Sequence, residues 1–257
     1  MTNECFLATM PSVAIPSFSI VVPALNEEGA LAATLEQILQ VTQKDFPNFE
    51  ILIFDDASTD NTGRIADQYA SRYPNIRAFH NPKTSGIGYS YKKGIEAATK
   101  EYYILIHGDN EISGALMKDM LGSAKKADFS ISYIQDDSRP QARQTVSKCF
   151  TKLTNLFFGL QVRYYNGPTL IPLRLLKEIS ISTNGHAFMA EIIVRLVKRG
   201  YRYLEIGFQT RVREEGKSKA FRLKNIVSVL RGILRLWFSL TFFPHNAIPA
   251  KNTRRSS

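Results

Sequence analysis

The chain has 257 residues, 44% of them hydrophobic, which is enough for one large core and too apolar for wholesale disorder. Its formal net charge of +10 points to an anionic partner: nucleic acid, anionic lipid or a phosphorylated substrate. The two cysteines, Cys5 and Cys149, fit no metal spacing and are expected as ordinary thiols of a reducing compartment.

Residues 1–17 are expected as an N-terminal extension without the basic and apolar regions of a secretory signal. Short apolar runs at 18–23, 50–54, 76–80 and 102–107 predict strands, and helical spacing at 30–43, 62–73 and 88–99 predicts helices between them. Such alternation predicts an α/β fold, a mostly parallel sheet flanked by helices. The pattern loosens after Ser113. A strand at 129–134, a basic loop at 136–143, a helix at 145–158, a helix at 187–199 stopped by Gly200 and a strand at 202–208 follow. No stretch reaches the roughly 20 apolar residues of a spanning helix. The chain is therefore expected in the cytosol.

Ligands of parallel sheets bind beyond the carboxyl ends of the strands. Three of the predicted strands end in polar and acidic residues: Asn26-Glu27-Glu28, Asp55-Asp56 with Asp60, and His107-Gly108-Asp109-Asn110-Glu111. One such cluster reads as a helix cap, and Asp60 or Asn61 is expected to act as one. Three on one sheet edge repel one another unless a cation or a hydrogen-bonding ligand offsets them.

Val22-Pro23-Ala24-Leu25-Asn26-Glu27 and Phe54-Asp55-Asp56-Ala57-Ser58-Thr59-Asp60 together resemble the V-P-x-x-N-E and V-D-D-x-S-x-D of the inverting family 2 glycosyltransferases of GT-A fold. Residues 81–98, with Gly86, Gly88, Lys93 and Gly94, look like that family's glycine-containing helix start. Arg213-Glu214-Glu215-Gly216-Lys217-Ser218-Lys219 is similar to the R-x-x-G-x-S-K of polyprenyl-phosphate sugar synthases of the dolichyl-phosphate mannose synthase type. The resemblance covers residues 18–220 and implies a GT-A transferase domain there.

It further implies a nucleotide-sugar donor, a GDP- or UDP-sugar, held by Pro23, Asn26, Glu27, Asp55, Asp56 and Lys93. Arg213, Ser218 and Lys219 would offset phosphate charge. The family's D-x-D metal motif aligns with His107-Gly108-Asp109, so Asp109 is the retained acid. If the segment is extended, His107, Asp109 and Glu111 face one way and hold Mg²⁺ or Mn²⁺ together; otherwise His107 packs on the sheet and Asp109 alone meets the ion. Asn166, in Tyr164-Tyr165-Asn166-Gly167-Pro168, stands where the lipid-phosphate enzymes carry an acid, so their acceptor does not transfer directly. A phosphate acceptor needs no base; a hydroxyl acceptor does, with Glu191 or Glu111 as candidates. Glu191 equally suits an ion pair with Arg195 at i+4.

A last helix is predicted over 221–243, before a basic tail at 244–257. Lys224, Ser228, Arg231 and Arg235 share one face, with Ile226, Val229, Leu230, Ile233, Trp237 and Leu240 opposite. That pattern predicts either an interfacial helix on an anionic membrane or packing on the core. The expected partners are thus a nucleotide sugar, a lipid-phosphate acceptor and the cytosolic face of a membrane. A binding protein on the same fold without catalysis, or transfer to a saccharide hydroxyl, is the alternative. Nucleic acid is not expected, since the basic residues do not interleave with exposed aromatics in a recognition module.

Overall fold

The computed structural model describes residues 15–183, 185, 187–209, 232, 234 and 236–238. Four β-rich runs become parallel strands: β1 (Phe18–Ala24), β2 (Phe49–Asp55), β3 (Ile76–His80) and β4 (Tyr102–Leu105). Helices α1 (Leu31–Asp45), α2 (Thr62–Arg72) and α3 (Ile87–Ala97) make the crossovers between them. The second half adds α4 (Gly114–Leu121), β5 (Phe129–Asp136), α5 (Gln141–Phe158), β6 (Thr169–Pro172), α6 (Leu173–Lys177), α7 (Phe188–Lys198) and β7 (Tyr203–Gln209). One seven-stranded sheet results, in the order β3-β2-β1-β4-β6-β5-β7. Strand β6 runs antiparallel to both of its neighbours, so the other six point the same way.

Period-two alternation splits the core into two layers. Ile20, Val22, Ile51 and Ile53 face Leu31, Leu35, Ile38 and Leu116, on the side of α1 and α4. Val21, Leu52, Tyr103 and Ile131 face Tyr91, Ile192 and Leu196, on the side of α3 and α7. Helix α3 comes so close to the sheet that a Cβ on Gly94 would strike the Tyr103 hydroxyl and lie 2.8 Å from Val21 Cγ2. The same hydroxyl donates to the Tyr91 carbonyl at 2.7 Å. At the amino edge of the sheet, buried Glu50 accepts from Ser19, Thr99 and Arg77. Burial opposes its charge, but these donors hold the carboxyl below its ordinary range.

The structure extends the sequence reading in four places. Helix α4 is capped by Ser113, whose Oγ accepts from Leu116 N at 3.2 Å. Strand β6 and helix α6 were not expected; their four and five residues, joined at Pro172, are too short for periodicity to show. Helix α5 starts at Gln141, directly after Pro140, so the basic loop is shorter than predicted. Strand β4 stops at Leu105, two residues early, which matters for the metal motif.

Most of the predicted last helix lies outside the described residues. Its described residues Gly232, Leu234, Leu236, Trp237 and Phe238 are helical. Leu236 is buried in the α3–α7 layer, and a Cβ on Gly232 would come within 3.3 Å of Ala187 Cβ. Leu234, Trp237 and Phe238 are exposed. Among the described residues, no helix is long and apolar enough to cross a membrane.

Candidate active site

Because β1, β2, β3 and β4 are parallel, their carboxyl ends share one edge. Ala24 is in register with Asp55, and Asp55 with His80. Three non-glycine residues with left-handed backbone lie in the loops just beyond: Asn26 (φ 54°), Ala57 (φ 60°) and Asn110 (φ 56°). Such conformations cost energy and persist where surroundings over-determine them, as at functional sites.

Here the surroundings are visible. Asn26 Oδ1 accepts from Thr59 N at 2.8 Å, and Asn26 N donates to Ser58 Oγ at 3.0 Å. Glu27 N donates to Thr62 Oγ1 at 2.8 Å, and Glu28 accepts from Asn61 through both its backbone and side-chain nitrogens. Asn61 holds the N-cap position of α2 without a side-chain cap bond, while Asp60, one residue earlier, accepts from Thr62 N at 2.9 Å and from Glu28 N at 3.3 Å. The two loops are thereby stitched together along their length.

The aspartate pair serves the same scaffold. Asp56 is buried and accepts from Asn81 Nδ2, Ser85 N and Gly86 N at 2.8, 2.8 and 2.9 Å. It fastens the start of α3 to the end of β2. Asp55 accepts from Ser58 N at 3.0 Å and faces His80 Nδ1 at 3.1 Å. Burial opposes the Asp55 charge, yet Ser58 and His80 hold its carboxyl below the ordinary range. His80 in turn sits between Asp55 and Asp67, and those two carboxylates raise its pKa. Gly63 makes room, since a Cβ there would lie 2.8 Å from Asp55 Oδ2 and 3.5 Å from the His80 ring. Asp55 and Asp56 therefore tie the loops of this edge by hydrogen bonds within the protein. Pro23 and Glu27 are half-buried at this edge, whereas Lys93 lies along α3, paired with Glu96 at 2.7 Å.

The metal motif needs correction. The three-ligand set of His107, Asp109 and Glu111 required an extended segment, but the strand has ended, residues 108–109 turn, and Asn110 is left-handed. The three side chains do not gather, and the described residues contain no cluster of three metal-ligating groups. Glu111 lies 3.8 Å from Arg143 in the first turn of α5. Asp109 Oδ1 accepts from Glu111 N at 3.2 Å. A protein-built cage therefore does not fit these residues. A cation that draws most of its ligands from a diphosphate does fit, with Asp109 as its carboxylate.

Glu191 is buried and fully engaged. Its carboxylate accepts from Ser182 N, Ser182 Oγ and Thr183 N, and pairs with buried Arg195 at 3.0 Å. The i+4 alternative is thus the one realised. Asn166 is exposed in the turn before β6, between Tyr165, whose hydroxyl donates to Asn155 Oδ1 at 2.7 Å, and Gly167, which packs on Ser132. Nearby Arg139 pairs with Asp137 and reaches Tyr164 Oη at 3.3 Å. Arg213, Ser218 and Lys219 lie outside the described residues.

These loops coincide with the stretch that matches a known family. The model of glycosyl transferase family 2 matches residues 19–175, more than half of the chain. The chain belongs to glycosyl transferase family 2. Its relatives include the glycosyltransferase AglD of Haloferax volcanii, 23% identical over 88% of this chain and 38% of that protein. The undecaprenyl-phosphate mannosyltransferase of Micrococcus luteus is 25% identical over 77% of this chain and 85% of the relative. Of AglD and the Escherichia coli glycosyltransferase YibD, the chain spans 38% and 33% of the length. Among solved structures, glucosyl-3-phosphoglycerate synthase from Mycobacterium tuberculosis, in complex with Mn²⁺, uridine diphosphate and phosphoglyceric acid, superposes with a TM-score of 0.65. It is 16% identical over 87% of this chain and 78% of that one, a likeness that shows the fold: the family 2 chain has the GT-A fold.

The residues that sequence reasoning missed are the stitching partners: Ser58, Thr59, Thr62, His80, Asn81 and Arg143. The spacing of Ser58, Asp60 and Thr62 after Asp55 was legible as turn and cap chemistry. The place of His80 beside Asp55 needed the register of β3 on β2.

Proposed function

We propose that the chain transfers a sugar from a nucleotide-sugar donor to a polyprenyl phosphate, working peripherally at the cytosolic face of a membrane. The donor half rests on the stitched carboxyl edge, where three left-handed loops form a preorganised rim in a family 2 chain. Preorganisation of that kind holds a diphosphate where charge develops as the sugar–phosphate bond breaks. Mg²⁺ or Mn²⁺ at Asp109 would offset that charge when bound, and Mn²⁺ accompanies the nucleotide in the solved relative. Arg213, Ser218 and Lys219 are assigned the phosphate contacts on the motif alone.

The acceptor half rests on the fate of the two candidate bases. Glu191 is locked against Arg195 and the 182–183 backbone, and Glu111 pairs with Arg143. A hydroxyl acceptor calls on a base, whereas a phosphate is already an anionic nucleophile. Similarity to the undecaprenyl-phosphate mannosyltransferase supports a lipid phosphate. The test offers purified protein a panel of GDP- and UDP-sugars with Mn²⁺ or Mg²⁺, and with polyprenyl phosphate in detergent, phosphoglycerate or a saccharide as acceptor. Transfer to the polyprenyl phosphate supports the reading. Transfer only to phosphoglycerate, which offers a hydroxyl beside its phosphate ester, or only to the saccharide overturns the acceptor assignment.

A further inference from the structure

Helix α5 is apolar on its outer face as well as its inner one, where Phe158 is buried and Phe150 packs against the core. Thr151 and Thr154 point inward and are buried, with Thr154 Oγ1 bonded back to the Phe150 carbonyl at 2.8 Å. Val146, Leu153, Leu156 and Phe157 point outward, and Leu156 is 79% exposed. So many apolar side chains on one outer face are unfavourable if water is the permanent neighbour of that face. The face continues onto the described residues of the last helix: Phe157 meets Trp237 edge-on at 6.5 Å, and Leu234 and Phe238 are exposed beside it.

Charge narrows what covers this surface. Helix α5 carries Arg143, Lys148 and Lys152 and no acidic residue, and Lys148 and Lys152 are exposed. From Gly216 to Ser257 the sequence has no acidic residue either, while Arg231 and Arg235 flank the described helical residues. A second copy of the chain would set like charges face to face. An anionic bilayer accepts apolar side chains below its headgroups and cations at them.

We propose that the outer face of α5, with Leu234, Trp237 and Phe238, docks the protein on an anionic lipid surface. Sequence patterning had pointed only to the last helix; α5 is the larger part of the described surface. Its first turn touches the rim of the candidate site through Arg143 and Glu111, so docking holds that rim at the bilayer. The inference deepens the lipid-acceptor reading and rests on it for its purpose, but its test uses no sugar and no acceptor.

Trp237 is the single tryptophan of the chain and lies within the surface, so its emission reports docking directly. Full-length protein is titrated with phosphatidylcholine vesicles with and without phosphatidylglycerol, following emission and flotation. A blue shift and co-flotation with the anionic vesicles are expected. Leu156→Gln, at a position too exposed to disturb folding, is expected to weaken vesicle partition about tenfold. Lys148→Gln and Lys152→Gln should each weaken it about fivefold on anionic vesicles and little on neutral ones. Leu156→Gln protein that floats like wild type overturns the proposal, as does wild type that ignores anionic vesicles. A dimer in light scattering that Leu156→Gln dissociates, without vesicle binding, overturns it in favour of a second copy. Vesicle binding lost in Leu156→Gln, in a protein that transfers nothing to polyprenyl phosphate, upholds the docking face and refutes the acceptor reading.

Discussion

Asp56 offers the sharpest test of how the site is built. Its buried carboxylate receives three short hydrogen bonds from Asn81, Ser85 and Gly86, two of them from backbone N–H groups. Hydrogen bonds to a charged group are worth roughly 1.5–3 kcal/mol each, and bonds sharing one acceptor group are not additive. Asp56→Ala is therefore expected to cost about 2–4 kcal/mol, or roughly 5–15 °C in Tm for a chain of this size. Asp56→Asn keeps one acceptor oxygen and should lose about half as much. Nucleotide affinity, read by calorimetry with UDP and GDP, should fall with the loosened 81–86 segment. Paired urea denaturation and calorimetry separate the causes. If Asp56→Ala unfolds at the wild-type midpoint and loses only nucleotide affinity, the carboxylate faces the ligand and the scaffold account fails.

Four further outcomes follow from the same geometry. Asp109→Ala should leave the denaturation midpoint within error but remove the Mn²⁺ dependence of nucleotide binding in calorimetry; unchanged dependence would remove Asp109 from the metal site. Glu191→Ala strands the Arg195 guanidinium in the core and should cost about 3–5 kcal/mol in chemical denaturation, whereas a purely catalytic Glu191 predicts lost turnover at full stability. The raised pKa of His80 means that its charged form stabilises the fold below its unfolded value and that this stability is lost as pH rises through the folded one. Wild type should therefore exceed His80→Gln in stability by more at about pH 6 than at about pH 9, and a constant difference would show that His80 is not charged against Asp55 and Asp67. Gly94→Ala places a methyl group against Tyr103 and Val21 and should destabilise by about 1–3 kcal/mol; a neutral result would mean that α3 can lift from the sheet.

The first half of the fold was legible because β1, β2 and β4 are buried on both faces and its crossovers are regular helices. The runs read at 18–23, 50–54 and 76–80 became β1, β2 and β3 within two residues at either end. Legibility ended where order comes from partners distant in sequence. Strand β6 forms because Leu170 and Ile171 lie between β4 and β5, not because four residues declare a strand. Helix α5 hid its first turn because Gln141 to Gln144 are polar or small and carry no hydrophobic periodicity. Of the two readings of the metal motif, the three-ligand one required alternation through Asn110, where the backbone is left-handed.

The acidic strand ends show how far a pattern of residue types reaches. Their gathering on one sheet edge was correctly inferred from parallel connectivity, but the repulsion argument looked only to a cation or a ligand to offset their charge. In Asp55, Asp56, Asp60 and Glu28 the offset comes from the protein itself, through Ser58, His80, Asn81, Ser85, Gly86, Asn61 and Thr62. Asp109, by contrast, has a single described hydrogen bond, from a backbone N–H two residues along its own chain. A carboxylate so lightly tied at a rim so heavily tied is where an incoming cation meets the least competition. The division of labour is then physical: Asp55, Asp56, Asp60 and Glu28 hold the loops in place, and Asp109 is the acid that the proposed function assigns to the cation.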